Sequence, residues 1–246
     1  MALDPETLLR EAKALQEELV ALRRDIHAHP ERGSCEVRTT ALIKKYLEEL
    51  GIEVRPCTET GVLGILYGGK PGKTIGLRAD IDALPIQEET GLPFASKNAG
   101  VMHACGHDLH TASLMGAAKI LSAHRDALCG NVKFFFQPDE EGNGGAERMV
   151  RAGCLQGPDV DAVFGGHSST GRIAGHYGLK YGKTYAASNP FTILIRGQGC
   201  HGAYPGSGID SIAVACQVVA ALQTLVSRRI FATDSAVVTV GSFHAG

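Results

Sequence analysis

Short stretches of this sequence concentrate side chains that could bind a metal ion or transfer protons. Residues 103–110 read HACGHDLH and place histidine, cysteine or aspartate at five of eight positions. A cysteine thiolate and an imidazole two residues apart, as at Cys105 and His107, suit Zn, Co or Ni. A lone histidine is more often a structural hydrogen-bonding residue, but a cluster of this density is typical of a metal site. We therefore interpret this stretch as metal-binding.

A pair of aspartates forms the second stretch. Residues 77–86 (LRADIDALPI) place Asp80 and Asp82 two positions apart. At the end of a strand this spacing puts both carboxylates on one side. Aspartate is also a common turn former, so the spacing alone leaves a plain turn open as an alternative.

Adjacent glutamates form the third stretch, within residues 134–147 (FFFQPDEEGNGGAE). Neighbouring side chains such as Glu140 and Glu141 point in different directions, so one can bind a metal while the other faces a substrate as a base. A solvated acidic loop is the alternative. The position after an apolar strand favours a ligand site, because ligands bind at the carboxyl ends of strands in open α/β sheets.

A histidine follows a further apolar strand, at His167 in VFGGHSS. Taken alone, it is equally well a ligand or a core histidine. Together with Cys105, His107 and Glu141, it belongs to successive strand–loop units whose loops converge at one sheet edge. We therefore expect these four residues to share one site.

Composition limits the class of protein. The 246 residues are 44% hydrophobic and 20% charged, with a formal net charge of −2, so we expect a folded protein that binds no nucleic acid. The sequence lacks a signal-peptide pattern at its N-terminus, and the apolar stretch 212–226 is interrupted by Gln217 and Gln223. We expect a cytoplasmic protein without membrane contact, whose seven cysteines are reduced thiols.

Periodicity predicts an α/β fold in the first part of the chain. A helix capped by Asp4, with Pro5 in its first turn, is predicted to run to Pro30. Further helices are predicted at 37–50, 110–128 and 144–152, and strands at 52–57, 62–67, 74–79, 131–137 and 161–165. Strands that alternate with helices indicate a mostly parallel sheet with helices on both faces.

The pattern changes near residue 185. Strand-like residues 190–196 and 235–243 flank an amphipathic helix predicted at 210–229. This β–α–β segment indicates a second, smaller α+β domain, so we predict domains at 1–184 and 185–246.

The motifs, in their order along the chain, resemble the amidohydrolase branch of the M20 metallopeptidases, which includes N-acyl-amino-acid amidohydrolases, hippurate hydrolases and indole-3-acetic-acid–amino-acid hydrolases. The resemblance covers nearly the whole chain. It is carried by RRDIHAHPE (23–31), LRADIDALPI, HACGHDLHTA (103–112), QPDEEG (137–142) and GCHGAYP (199–205).

The resemblance implies a site for two divalent metal ions, for which Zn, Mn, Co and Ni are all compatible. Cys105 would bridge the ions. His107, Glu141 and His167 would complete the available ligand set. The family has one more metal-binding histidine in a returning C-terminal segment of the catalytic domain. That segment has no counterpart here, so we expect a chain truncated within its second domain.

The resemblance also implies catalytic roles. Glu140 would be the general base, while Asp80 and Asp82 would orient the ligands. The second domain would be an inserted lid that forms a homodimer, and His201 would reach the partner's site and stabilise the tetrahedral intermediate. His27 and His29 would be structural.

The function implied is a metal-dependent amidohydrolase that cleaves the amide bond of N-acetyl, N-benzoyl or similar amino acids. A dipeptidase or carboxypeptidase-like exopeptidase is an alternative within the same class. A metal-binding but catalytically incomplete fragment is the non-enzymatic alternative. A thiol redox protein is disfavoured, because no second cysteine stands at motif spacing from Cys105.

Overall fold

The computed structural model describes residues 4–142 and 144–246. Contacts group the chain into two compact units, Met1–Ile173 and Ala174–Gly246. The predicted domain boundary after residue 184 stays a prediction.

The first unit is built on a five-stranded sheet in the order β1-β2-β4-β3-β5. Its strands are β1 Glu53–Pro56, β2 Val62–Tyr67, β3 Lys70–Asp80, β4 Cys129–Gln137 and β5 Ala162–Gly165. The α/β class is confirmed. The sheet is mixed rather than mostly parallel: β3 is parallel to β4 and β5, whereas β2 is antiparallel to β1 and β4. The short β1–β2 connection allows only an antiparallel pair, because parallel neighbours need a long crossover.

The helices of the first unit follow the predicted pattern with one difference. They are α1 Pro5–Ala14, α2 Gln16–Ala28, α3 Val37–Glu49, α4 His107–Ala123 and α5 Gly145–Arg151. Asp4 caps α1 as predicted, accepting the Glu6 and Thr7 amides. The single helix predicted up to Pro30 is two helices that break at Leu15. Apolar residues continue at helical spacing across this break, so periodicity did not reveal it.

Alternate side chains of the sheet enter two separate cores. Phe134 and Phe136 pack with Ile43 of α3 and Met115 of α4, whereas Phe135 packs with Met149 of α5 on the other face. Successive residues of a strand point to opposite faces, so β4 serves both cores. Helices therefore cover both faces, as predicted.

The second unit contains one long helix, α6 Ser211–Arg229, which Asp210 caps through the amides of Ile212 and Ala213. The strands predicted at 190–196 and 235–243 are wrong: in the described part of this unit the backbone forms only a single bridge, between Gln198 and Ile209. A strand needs a neighbouring strand for its backbone hydrogen bonds. An alternating pattern of apolar and polar residues does not show whether such a neighbour is present. The predicted α+β lid stays a prediction. By length and composition alone α6 could cross a membrane, a test that core helices of soluble proteins also pass.

Candidate metal centre

The candidate residues lie around one edge of the sheet. Asp80 ends β3, the acidic pair Glu140–Glu141 follows β4, and His167 follows β5. Because β4 and β5 are both parallel to β3, these strands end at the same edge. The convergence predicted from the strand–loop pattern is therefore confirmed.

A tight turn before α4 supplies a thiol and an imidazole. Gly106 has a φ of +87°, a left-handed conformation that L side chains rarely adopt. A Cβ atom at Gly106 would lie 2.5 Å from Ser168 Oγ, so the position also has no room for a side chain. On either side of the turn, Cys105 is partly exposed and His107 is buried at the first position of α4.

His107 is oriented as a ligand by a carboxylate behind it. Its Nδ1 lies 2.9 Å from the Asp82 carbonyl oxygen and 3.1 Å from Asp82 Oδ1, both of which can only accept. Nδ1 therefore donates, so in the neutral ring the lone pair is on Nε2. Among the described residues, this buried Nε2 has no hydrogen-bond partner. A buried nitrogen without a partner, on a ring held by a carboxylate, is the arrangement expected of a metal ligand.

His167 presents its other nitrogen to the same place. Its Nδ1 donates to the Ser168 carbonyl oxygen at 2.6 Å, and its Nε2 lies 3.4 Å from Cys105 Sγ. Three residues each contribute one ligand atom here, and these atoms lie within 4.8 Å of one another: Cys105, His107 and His167. Sulfur and imidazole donors this close fit a divalent transition metal.

The acidic pair extends this set of donors. Ligand atoms of His107, Glu140 and Glu141 also lie within 4.8 Å of one another, and Glu141 Oε1 is 3.8 Å from His107 Nε2. His107 is thus common to both of these donor groups. The structure brings all four predicted ligands and the predicted base together in the first unit.

A hydrogen-bonded network that the sequence did not predict supports the site. His110 Nδ1 donates to Asp80 Oδ1 at 2.6 Å, and His110 Nε2 accepts the Ser168 amide at 2.8 Å. Arg78 donates to the other oxygen of Asp80 at 2.7 Å. Asp80, His107 and His110 also have the spacing of a metal group. Because both His110 nitrogens are already hydrogen-bonded, we interpret this group as a network that ties the loop of His167 to β3.

His110 was within the motif, but sequence alone does not show which histidine of a cluster faces inward. Its position three residues after His107 was the available signal, since this spacing puts both on one helix face. Ser168 offered no such signal.

The surroundings of Asp80 and Glu140 shift the pKa values of these two carboxyl groups in opposite directions. Burial opposes ionisation of Asp80, but the His110 hydrogen bond and the positive charges of His107 and Arg78 outweigh it and lower its pKa to about 2. Burial and the neighbouring Glu141 and Asp80 carboxylates instead raise the pKa of Glu140. Asp80 is thus ionised near neutral pH. The pKa of Glu140 is shifted towards the range in which a carboxylate can exchange protons during catalysis.

The Cys105 thiol is held protonated by the protein alone. Burial, Glu141 and Asp80 raise its pKa to about 12. A thiol surrounded by carboxylates is a poor nucleophile near neutral pH, which argues against redox chemistry at this position. A bound cation would reverse this effect, because a coordinating thiol is deprotonated.

His201 and His27 are further candidates derived from the sequence. His201 belongs to the second unit, where its Nδ1 accepts the Ala203 amide at 3.1 Å. His27 is buried between carboxylates, with Nδ1 2.9 Å from Asp108 Oδ2 and Nε2 3.3 Å from Glu88 Oε1.

Comparison with known proteins assigns the chain to a family. Residues 76–240 match the family model for peptidase family M20/M25/M40. The chain belongs to this M20 family. A solved structure described as a dinuclear metal-binding M20 peptidase from Bacillus subtilis has a TM-score of 0.67 and 42% identity, covering 86% of this chain and 57% of that one.

Curated M20 relatives cover most of the chain. An N-acetyl-L-cysteine deacetylase of Bacillus subtilis (strain 168) is 47% identical over 94% of this chain and 56% of its own length. An N-acyl-L-amino acid amidohydrolase of Geobacillus stearothermophilus is 45% identical over 98% of this chain and 65% of its own length. The chain thus spans roughly three fifths of these relatives.

Proposed function

We propose that this chain carries the metal centre of an amidohydrolase that cleaves the linear amide bond of N-acyl amino acids. The observation that carries the proposal is the convergence of Cys105, His107, Glu141 and His167 around the buried Nε2 of His107. The names of the relatives, a deacetylase of N-acetyl-L-cysteine and an N-acyl-amino-acid amidohydrolase, support the substrate class.

Two divalent ions, with Zn or Mn as the first candidates, fit the mixed sulfur, nitrogen and oxygen donors. Cys105, His107, Glu141 and His167 would hold them. When bound, such ions supply the positive charge that activates water and polarises an amide carbonyl.

Glu140 is the proposed general base. It follows β4 next to Glu141, and its raised pKa makes the carboxylate a better acceptor of a proton from water. Glu140 would take a proton from the attacking water and deliver it to the leaving nitrogen. General acid–base catalysis of this kind contributes typically ~10²–10⁴-fold.

Asp82 is proposed to act through its neighbours. Its carboxylate accepts the His107 Nδ1 proton and, at 3.0 Å, the Glu141 amide. One side chain thereby sets the direction of an imidazole ligand and the backbone of a carboxylate ligand, which is how outer carboxylates tune metal sites.

The proposal also includes a role for His201, a homodimer and a cellular location. His201 would stabilise the oxyanion in the site of a second copy, with the unit of α6 forming the homodimer. A cytoplasmic location is proposed because the seven cysteines are free thiols. These roles rest on the family resemblance.

Turnover on a substrate panel tests the function. N-acetyl and N-benzoyl amino acids are compared with dipeptides, after loading the protein with Mn²⁺ or Zn²⁺. We expect release of the free amino acid from the N-acyl substrates. Faster cleavage of dipeptides would instead identify an exopeptidase.

Glu140→Ala is the matched variant for this assay. We expect it to retain the metal content of the wild type and to lose at least ~10²-fold in kcat, because only the proton acceptor is removed. Unchanged turnover would refute its role as base.

A further inference from the structure

A buried carboxylate outside the metal donors reaches the loop that carries the acidic pair. Glu36 is 0% exposed, although nothing in the proposed reaction uses it. Its Oε2 accepts the Thr60 hydroxyl at 2.7 Å, and its Oε1 accepts the Asp139 amide at 2.8 Å. A fully buried carboxylate is costly unless it is hydrogen-bonded, and both of its oxygens are.

Glu36 is available for this contact because another residue caps its helix. It directly precedes α3, where an acidic side chain commonly accepts the first helical amides. Here Glu31 does so instead, accepting the amides of Arg38 and Thr39 at 2.8 Å each. The Glu36 carboxylate is left to bind residues that lie far along the chain.

The loop that Glu36 holds has an unfavourable backbone conformation. Asp139 has a φ of +51°, in the left-handed region that non-glycine residues rarely adopt. Its side chain is fixed by Ser34 Oγ at 2.8 Å and by Arg148 Nη2 at 2.9 Å. A Cβ atom at Gly33 would lie 2.1 Å from Asp139 Oδ1, so Asp139 packs closely against the backbone of Gly33. Such a conformation persists only where its surroundings determine it.

The acidic pair follows immediately, and a second carboxylate holds its other side. The Asp139 amide is bound by Glu36, and two residues later the Glu141 amide is bound by Asp82 at 3.0 Å. Glu140 lies between these two anchored amides. Its backbone is therefore held on both sides.

We propose that Glu36 is a positioning residue that fixes the direction of Glu140 and Glu141 through the backbone of Asp139. It touches neither substrate nor metal donors. The part of this proposal that concerns turnover rests on the proposed function, whereas the part that concerns metal affinity rests only on Glu141 as a ligand.

Glu36→Ala and Glu36→Gln test the proposal with Co²⁺ as the probe. The alanine leaves the Asp139 amide without an acceptor, so we expect Co²⁺ affinity and kcat each to fall ~10-fold, the lower end for residues that support a ligand. Glutamine keeps one oxygen for this amide, so we expect Glu36→Gln to stay within about twofold of wild type in both quantities. KM should change less than kcat.

Glu31→Ala is the matched control. It removes the cap of α3 and lowers thermal stability, but it leaves every hydrogen bond of Asp139 in place. We expect its Co²⁺ affinity to stay within about twofold of wild type. If Glu36→Ala does not fold, Thr60→Val removes one of the two anchors of the carboxylate. We expect that variant to lose at least ~3-fold in Co²⁺ affinity.

Several results would overturn the proposal. It is contradicted if Glu36→Ala binds Co²⁺ as Glu31→Ala does, if Glu36→Gln loses as much as the alanine variant, or if Thr60→Val loses nothing. A wild-type chain that hydrolyses no N-acyl amino acid, together with a Glu36→Ala variant that still loses Co²⁺ affinity, would refute the proposed function and support the positioning role.

Discussion

The two units of this chain differ in what their side chains contact. In the first unit, a mixed sheet buries apolar residues on both faces and polar residues at its edge. In the second unit none of the residues 174–246 is buried, including those of α6. The comparison shows that the precise geometry of the metal centre depends on the packing of the first unit, where ligands and their supporting residues come from many separate segments.

Amide hydrogen exchange should show the largest difference between the units. The amides of β4 are hydrogen-bonded between two neighbouring strands, so their exchange requires opening of the sheet. We expect them to exchange at least ~10³-fold more slowly than the amides of residues 174–210, given the usual stability of a folded domain. Similar rates in both segments, measured by mass spectrometry of peptides, would contradict the comparison.

Matched leucine truncations should show the next largest difference. Leu47 is 0% exposed in the core between α3 and the sheet, whereas Leu225 of α6 is 40% exposed. We expect Leu47→Ala to lower the free energy of unfolding by about 2–5 kcal/mol, and Leu225→Ala by no more than about 0.5 kcal/mol. Urea unfolding followed by circular dichroism measures both. An equal loss would mean that α6 is packed as firmly as the first unit.

The smallest expected effect is a pH dependence that arises in the first unit alone. The hydrogen bond to Asp108 is the main cause of a raised pKa of His27, and Glu88 adds to it. Protonated His27 therefore stabilises the fold fully below about pH 6.5, its ordinary pKa, and this contribution is lost as the pH rises through the raised value.

His27→Gln should remove this part of the pH dependence, with an effect of about 1 kcal/mol between pH 6 and pH 9. His176→Gln in the second unit is the control and should keep the wild-type profile. Thermal unfolding across this pH range measures the difference. A wild-type profile for His27→Gln would show that the buried histidine is not charged.

The sequence predicted the candidate site best where the residue type and the position after a strand both indicated a ligand. The cluster around Cys105 and His107, the acidic pair after β4 and His167 after β5 were all found from residue type and from position after a strand. The edge at which they meet followed from the alternation of strands and helices. The strand predicted at residues 62–67 has the bounds of β2.

Long-range pairing was not accessible to the same reasoning. The antiparallel pairing of β2 with β4 joins segments that no local pattern connects, and it makes the sheet mixed. The contacts of Glu36 with Asp139 and of His110 with Ser168 likewise join residues that are distant in the sequence through one or two hydrogen bonds. In the second unit, alternation predicted strands at 190–196 and 235–243, but pairing decides whether such segments become strands.

The most direct test of the central claim is a Co²⁺ titration of the wild-type chain and of Cys105→Ser, followed by visible absorption and by metal content after gel filtration. The first unit holds a thiol and an imidazole within 4.8 Å of each other, and a bound cation would deprotonate the thiol, so we predict bound Co²⁺ with a thiolate-to-metal absorption band. Cys105→Ser should lose the band and bind ~10–100-fold more weakly. Wild-type protein that binds no Co²⁺, or an absorption band that persists in Cys105→Ser, would contradict the account.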